Sequence, residues 1–286
     1  MIKFTNGYSD FCIPYNEKED CLKEILNELI DVGFRNVAIE QTHIHQTIGS
    51  KSDPIPEPVK LDSLRAETNG KLNLYNRLTV VYSDPSVTHV LSRSQNFKKY
   101  QIVAALPTSE SALQHACQTF QGDIVTYNTD TIKIRLNRKF YYLAIRRNMF
   151  FELKYSPVIV DASERRATIS RAQQYHMVGK SKGILISSEA ADRFNIRSPY
   201  DISSLGIIFG LSEEQAKCSI STTARKVFVA AECRRLGRTP VLMEYADVNT
   251  STSEEENESD DESSSQESRK RKNDSIGEIE RKKIKS

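Results

Sequence analysis

The chain has 286 residues, 27% charged and 38% hydrophobic, which is enough to bury one full-sized core. Its formal net charge of +2 is unevenly spread: eight of the 40 basic and eleven of the 38 acidic residues lie between Ser251 and Ser286. The body therefore carries five surplus cations, which permits a nucleic-acid partner, and the tail three surplus anions. Cys12, Cys21, Cys117, Cys218 and Cys233 are scattered, with no CxxC pair, which argues against a zinc ribbon or disulfide framework and fits a reducing compartment. No apolar signal region and no run approaching a membrane span is found, so the expectation is a soluble intracellular protein with no membrane partner.

Tyr8 to Ile13 reads as the first strand, stopped by Pro14. Asn16 and Glu19 form a capping box for a helix with Cys21, Leu22, Ile25, Leu26 and Leu29 on its apolar face, ended by Gly33. Asn36 to Glu40 is the second strand, completing a strand–helix–strand unit. From Gln46 to Asn73 the rhythm breaks: Pro54, Pro56 and Pro58 predict an exposed loop with at most a short helix near Leu61 to Arg65. Further strands are expected at Arg77 to Tyr82, Ile102 to Leu106, Asp123 to Thr126 and Tyr141 to Ile145, with a helix at Ser111 to Phe120. The few residues between Ile145 and Phe150 are too short for a parallel crossover, so one helix of a regular barrel is expected to be missing there.

Phe150 to Tyr155 is a buried strand, and Pro157 ends it. A helix follows from Ala162, with Arg165 and Arg166 in its first turns. Gly183 to Ser188 is the eighth candidate strand. Helices follow at Tyr200 to Phe209, Ser212 to Cys218 and Thr222 to Leu236, with Ser212 and Gln215 as a second capping box. Eight strands in the body imply a TIM-like (β/α) barrel with an incomplete helical ring over residues 1–243. A doubly wound sheet is the competing fold, with no GxGxxG to support it. Ser251 to Ser268 is too polar to bury apolar area, so residues 244–286 are expected to form a disordered tail.

No Ser/His/Asp set, P-loop or paired carboxylates stands out. His43 and His45 follow the second strand and offer a metal-dependent phosphoesterase as the alternative function; ordinary loop histidines are the simpler reading. Glu152, inside an apolar strand, reads as a structural carboxylate paired with an arginine across the barrel rather than a general acid or base. The cations are the stronger signal. Arg77, Lys98, Lys99, Arg135, Arg138, Arg165, Arg166, Arg197 and Arg225, interleaved with Phe97, Tyr100, Tyr141 and Tyr200, suit contact with the backbone of a structured RNA. Arg165 and Arg166 stand at the strand end where barrel ligands bind. In the tail, Arg269, Lys270, Arg271 and Lys272, then Arg281, Lys282 and Lys283, have the pattern of a bipartite nuclear-import signal.

Five runs are similar to one known family. They are Arg77 to Ser86, Tyr100 to Pro107, Phe151 to Pro157, Arg165 to Ser170 and, most specific, Ile196 to Ser212. In order and spacing the body from Tyr8 to Arg235 resembles the 30-kilodalton protein subunit of ribonuclease P, shared with RNase MRP. The resemblance implies a TIM-like barrel and a non-catalytic role. The RNA subunit, using Mg²⁺, would remove the 5′ leader of precursor tRNA, while this chain, binding no cofactor itself, stabilises that RNA beside other protein subunits in the nucleus and nucleolus.

Overall fold

Strands and helices alternate from Tyr8 onward in the computed structural model, which describes residues 6–17, 19–45 and 53–237. The chain divides into two units, Met1–Pro240 and Val241–Ser286, and the second, with the expected tail and its basic clusters, lies outside the described residues. Among the described residues the strands are β1 (Tyr8–Pro14), β2 (Phe34–Ile44), β3 (Asn73–Tyr82), β4 (Ile102–Pro107), β5 (Ile124–Val125), β6 (Phe150–Lys154) and β7 (Ile184–Ser187). All are parallel, and each pairs with the next in sequence, so the sheet curls into a nearly closed, TIM-like barrel.

The helices are α1 (Glu19–Asp31), α2 (Asp62–Glu67), α3 (Val87–Arg93), α4 (Gln95–Lys99), α5 (Glu110–Gln118), α6 (Arg138–Arg146), α7 (Ser156–Val160), α8 (Ala162–Gly179), α9 (Pro199–Ile208), α10 (Glu213–Ser219) and α11 (Thr222–Leu236). Serine caps recur: Ser94, Ser109 and Ser198 each accept from a first-turn amide, and Ser212 with Gln215 makes the expected capping box. The ring is uneven at β2–β3, where only the six-residue α2 intervenes among the described residues.

The segment Tyr141 to Ile145 is a helix and not a strand. Asn137 accepts from the Lys139 amide to cap it, and Tyr141 and Ala144, three apart, bury one side. Aromatic and branched residues mimic a strand here, but their burial follows the helical period. Seven strands rather than eight are therefore described, and α6 supplies the crossover that is expected from sequence to be absent.

Side chains alternate between the barrel interior and the helical shell. The shell side holds the main core, including Val37, Ile39, Leu78, Val80, Val103, Phe151 and Ile186. Inside, the half nearest the strand starts is apolar: Phe11, Ala38, Tyr75, Ile102, Ile124, Phe150 and Leu185. The C-terminal α11 plugs that end, with Phe228 resting 4.8 Å from the Phe11 ring and 4.7 Å from the Tyr75 ring. Arg234 fastens the plug, donating to Asp123 Oδ2 at 2.9 Å and to the Gln101 carbonyl at 2.9 Å.

No ladder joins β1 to β7 among the described residues. Residues just past β7 bridge the seam: the Glu189 amide donates to the Cys12 carbonyl at 2.7 Å, and the Ser188 amide to Asp10 Oδ1 at 3.1 Å. Lower down, the Ser9 amide donates to the Ile220 carbonyl at 3.0 Å, so the α10–α11 connection satisfies an edge group that another strand would otherwise take.

Candidate nucleic-acid interface

The interior half nearest the strand ends, where barrel enzymes keep their catalytic groups, is a sealed ionic network. Arg77 is wholly buried on β3. Its guanidinium donates to Glu152 Oε1 at 2.5 Å and Oε2 at 2.7 Å, to the Phe11 carbonyl at 2.8 Å and to Thr79 Oγ1 at 3.1 Å. Glu40 Oε1 lies 3.2 Å from Arg77 Nη2 and accepts from Thr79, while Ser187 Oγ donates to Glu152 at 2.7 Å. Lys154 pairs with Glu189 at 2.5 Å.

Burial alone would push the Glu152 carboxyl up, but the charge and hydrogen bonds of Arg77 outweigh it and hold it at about 2. Glu40 is likewise held below its ordinary value: burial opposes, and Arg77 and Lys154 prevail. For Lys154 burial favours the neutral amine, yet the surrounding acids keep it protonated. Asp10, at the seam, goes the other way, and burial raises it to about 6.

Glu152 is thus structural, as expected from its place in an apolar strand, and its arginine is Arg77. Arg77 does not belong among the RNA contacts: β3 begins at Asn73, four residues earlier than expected, so Arg77 sits mid-strand and faces inward. Sequence reasoning does not single out Glu40, Lys154, Asp10 and Glu189. The alternation Phe150, Glu152, Lys154 and the parallel Tyr75, Arg77, Thr79 are the signals that point to such a cluster.

Cys12, Glu40 and Glu189 present ligand atoms within 4.8 Å of one another, a spacing that a metal ion can bridge. The donor set fits poorly, because Glu40 is already engaged by Arg77 and Thr79, and Glu189 by Lys154. The chain brings its own cations to the place where a metal would bring charge. His43 and His45 do not join the cluster: His43 shares the outward register of Val37 and Ile39, opposite to Glu40, and His45 lies just past the end of β2. His43 is half-buried, and burial, aided by His45, lowers its pKa.

The remaining cations divide between the ends of the barrel. Arg135 and Arg138 lie on the β5–α6 connection and the start of α6, Arg165 and Arg166 in the first turns of α8, and Arg197 between β7 and α9, all following strand ends. Arg171 donates from α8 to the Thr131 carbonyl at 2.6 Å and the Ile134 carbonyl at 3.1 Å, and Thr129 bonds Glu164. These links strap the β5–α6 connection to the first half of α8. Arg165 and Arg166 are exposed, and none of their hydrogen bonds goes to a carboxylate: Arg165 donates to the Val158 carbonyl at 2.9 Å and Arg166 to the Ala162 carbonyl at 3.3 Å. Those bonds hold the guanidiniums in place without neutralising them. Arg197 is half-buried and donates to the Phe194 and Ile196 carbonyls at 2.8 Å.

Lys98 and Lys99, exposed at the end of α4, precede a strand and so lie at the opposite end, and Lys99 is paired with Glu57 at 2.9 Å. Arg225, half-buried near the start of α11, is also at the strand-start end. The predicted set therefore does not form one face.

Residues 7–236 match the family described as RNase P subunit p30. The chain belongs to that family. It is 32% identical over 237 residues to ribonuclease P protein subunit p30 of Mus musculus, covering 80% of this chain and 87% of that protein. Against the probable ribonuclease P protein subunit 3 of Schizosaccharomyces pombe identity is 29% over 215 residues, covering 75% and 88%. A ribonuclease P/MRP protein subunit of Saccharomyces cerevisiae is 25% identical over 232 residues, covering 80% of this chain and 78% of its own. A chain in the cryo-EM structure of archaeal ribonuclease P with mature tRNA superposes with a TM-score of 0.56 at 18% identity, over 86% of this p30-family chain and 100% of the archaeal one. That likeness is one of fold, over nearly the whole body.

Proposed function

We propose that this chain is a non-catalytic protein subunit of ribonuclease P, and of RNase MRP, that binds and stabilises the catalytic RNA during removal of the 5′ leader from precursor tRNA. Other protein subunits share the assembly, and Mg²⁺ serves the RNA subunit. The observation that carries the reading is the pair Arg165 and Arg166, exposed and without carboxylate partners, at the barrel end whose interior is already filled by Arg77, Glu152, Glu40 and Lys154. Planar guanidiniums held by backbone carbonyls suit phosphate oxygens. Arg135 and Arg138 extend the same end.

The test is filter binding of the catalytic RNA across a salt series. Arg165→Ala with Arg166→Ala should leave the thermal transition in place, since exposed charges contribute little to stability. Affinity should fall and the salt slope shrink by roughly 1 for each phosphate no longer neutralised, with a Lys–Lys variant recovering the slope in part. An unchanged slope with a lower melting temperature would make these arginines structural and move the RNA face elsewhere.

A further inference from the structure

Helices α6 and α8 are neighbours in the ring, and both run back from a strand end to a strand start. They are locked together. The Tyr141 hydroxyl donates to the Lys182 carbonyl at 2.5 Å, and a Cβ on Gly179 would strike the Tyr141 ring, so glycine is what lets the two helices approach. Neither segment contains an acid: there is no Asp or Glu from Thr131 to Phe151 or from Arg165 to Ser188. The cations there are exposed, with Arg138, Lys139 and Arg146 on α6 and Arg165, Arg166, Lys180 and Lys182 on α8 and the turn after it. What engages them is neutral. Arg165 and Arg166 bond backbone carbonyls, Arg138 lies 5.6 Å over the Tyr142 ring, and no carboxylate meets the other four among the described residues. At the rim, Asp161 and Glu164 are held by the Ser163 and Glu164 amides and by Thr129.

The outward stripe of α8 is Arg166, Ser170, Gln173, Met177 and Lys180, spaced by three or four positions and so aligned on one face, opposite the buried Ala172 and Tyr175. At 1.5 Å per residue the stripe is about 21 Å long, and it links the two ends of the barrel. No ring is offered to an unpaired base: Tyr141 and Tyr175 are buried, and Phe140 and Tyr142 half-buried. Cations at both ends, a hydroxyl and an amide between them and no stacking platform suit double-helical RNA, which is recognised by shape and by phosphate and 2′-hydroxyl contacts.

We infer that the outer face of α6 and α8 seats a double-helical segment of RNA along the height of the barrel. Its phosphates meet the arginines of the strand-end rim and, at the opposite rim, Arg146, Lys180 and Lys182, with Ser170 and Gln173 at its 2′-hydroxyls. The inference rests on the RNA-binding reading above, adds the second rim to it and names the kind of RNA.

The experiment is filter binding of the full chain to a short RNA duplex, to its single strand and to a DNA duplex of the same sequence, across a salt series, with the catalytic RNA in parallel. The RNA duplex should bind most tightly. Lys180→Gln with Lys182→Gln should lower the salt slope by roughly 2, and Arg146→Gln, on the other helix, by roughly 1, at an unchanged melting temperature. Ser170→Ala with Gln173→Ala should narrow the preference for the RNA duplex over the DNA duplex. A wild-type slope in both the lysine pair and Arg146→Gln would overturn the proposal, as would equal affinity for the RNA duplex and its single strand. So would a photo-crosslinker at position 173 that, in the assembled complex, reaches a protein subunit and no RNA. If Arg165→Ala with Arg166→Ala lowers the slope while the opposite rim leaves it unchanged, this inference fails alone. If the wild-type chain does not bind the catalytic RNA at all, the underlying reading fails with it.

Discussion

Glu152 has no solvent exposure, yet it stays ionised because Arg77 meets it with two parallel hydrogen bonds. Removing one partner of such a pair strands the other: Glu152→Ala should cost about 3–5 kcal/mol in urea unfolding. A loss under about 1 kcal/mol would mean that Glu40 alone compensates Arg77. Asp10 has the opposite sign. Its native pKa of about 6 exceeds its ordinary 3.8, so the folded state holds a proton that the unfolded state releases. The stability this contributes is complete below pH 3.8 and is lost as pH rises through 6. Asp10→Asn keeps an acceptor for the Cys12 and Ser188 amides and removes the titration. It should therefore raise stability at pH 7 by about 2 kcal/mol, with the gain shrinking towards pH 4, as read from melting curves. A gain independent of pH would assign the effect to the new amide rather than to the charge. The sequence discloses the role of Glu152 but not its partner: a β3 start placed four residues too late puts Arg77 at the open end of a strand, whereas it stands in the buried middle of the barrel wall.

Most of the element order is legible because caps and breakers are local. Ser212 with Gln215, Pro157 and the helix Thr222–Leu236 all stand where the sequence puts them. The α6 error arises because Phe140, Tyr141 and Tyr142 favour strands intrinsically, while packing of Tyr141 on Phe151, rings stacked at 4.3 Å, decides otherwise. At the end of α9, Phe209 is buried, whereas its neighbour Ile208 is 64% exposed, because the helix turns it outward. The plug α11 is recognisable as a helix with no indication of what it covers, since its partners lie on strands far away in sequence. Phe228→Ala should cost about 3–5 kcal/mol in urea unfolding, because its neighbours are fixed on the barrel wall and cannot collapse into the space. A much smaller loss would show that α11 rides on the barrel loosely.

At the scale of the molecule, charge is divided three ways: balanced inside, arginines without carboxylate partners in the first turns of α8, and a mixed set at the strand starts, where Lys99 is paired with Glu57. The division is not legible in sequence, because counting cations does not say which end each one reaches. The basic clusters at Arg269 to Lys272 and Arg281 to Lys283 lie beyond the described residues, and the expectation that they carry nuclear entry is tested separately from the body. Truncation after Asp247 should leave the thermal transition unchanged and abolish nuclear enrichment by microscopy when partners are absent; an equally nuclear truncated chain would place the signal in the body.

The seam between β1 and β7 has a consequence in time. Each neighbouring strand pair joins segments close in sequence, whereas the bond from Ser188 to Asp10 spans 178 positions. Closing so long a loop is entropically more demanding than pairing neighbouring strands, so it comes after the local pairs have formed. During synthesis the curled sheet can grow strand by strand, but it cannot shut until Ser188 and Glu189 have left the ribosome. Until then the polar edge of β1 and the charged interior stay open to water, and the growing chain is a trough before it is a barrel.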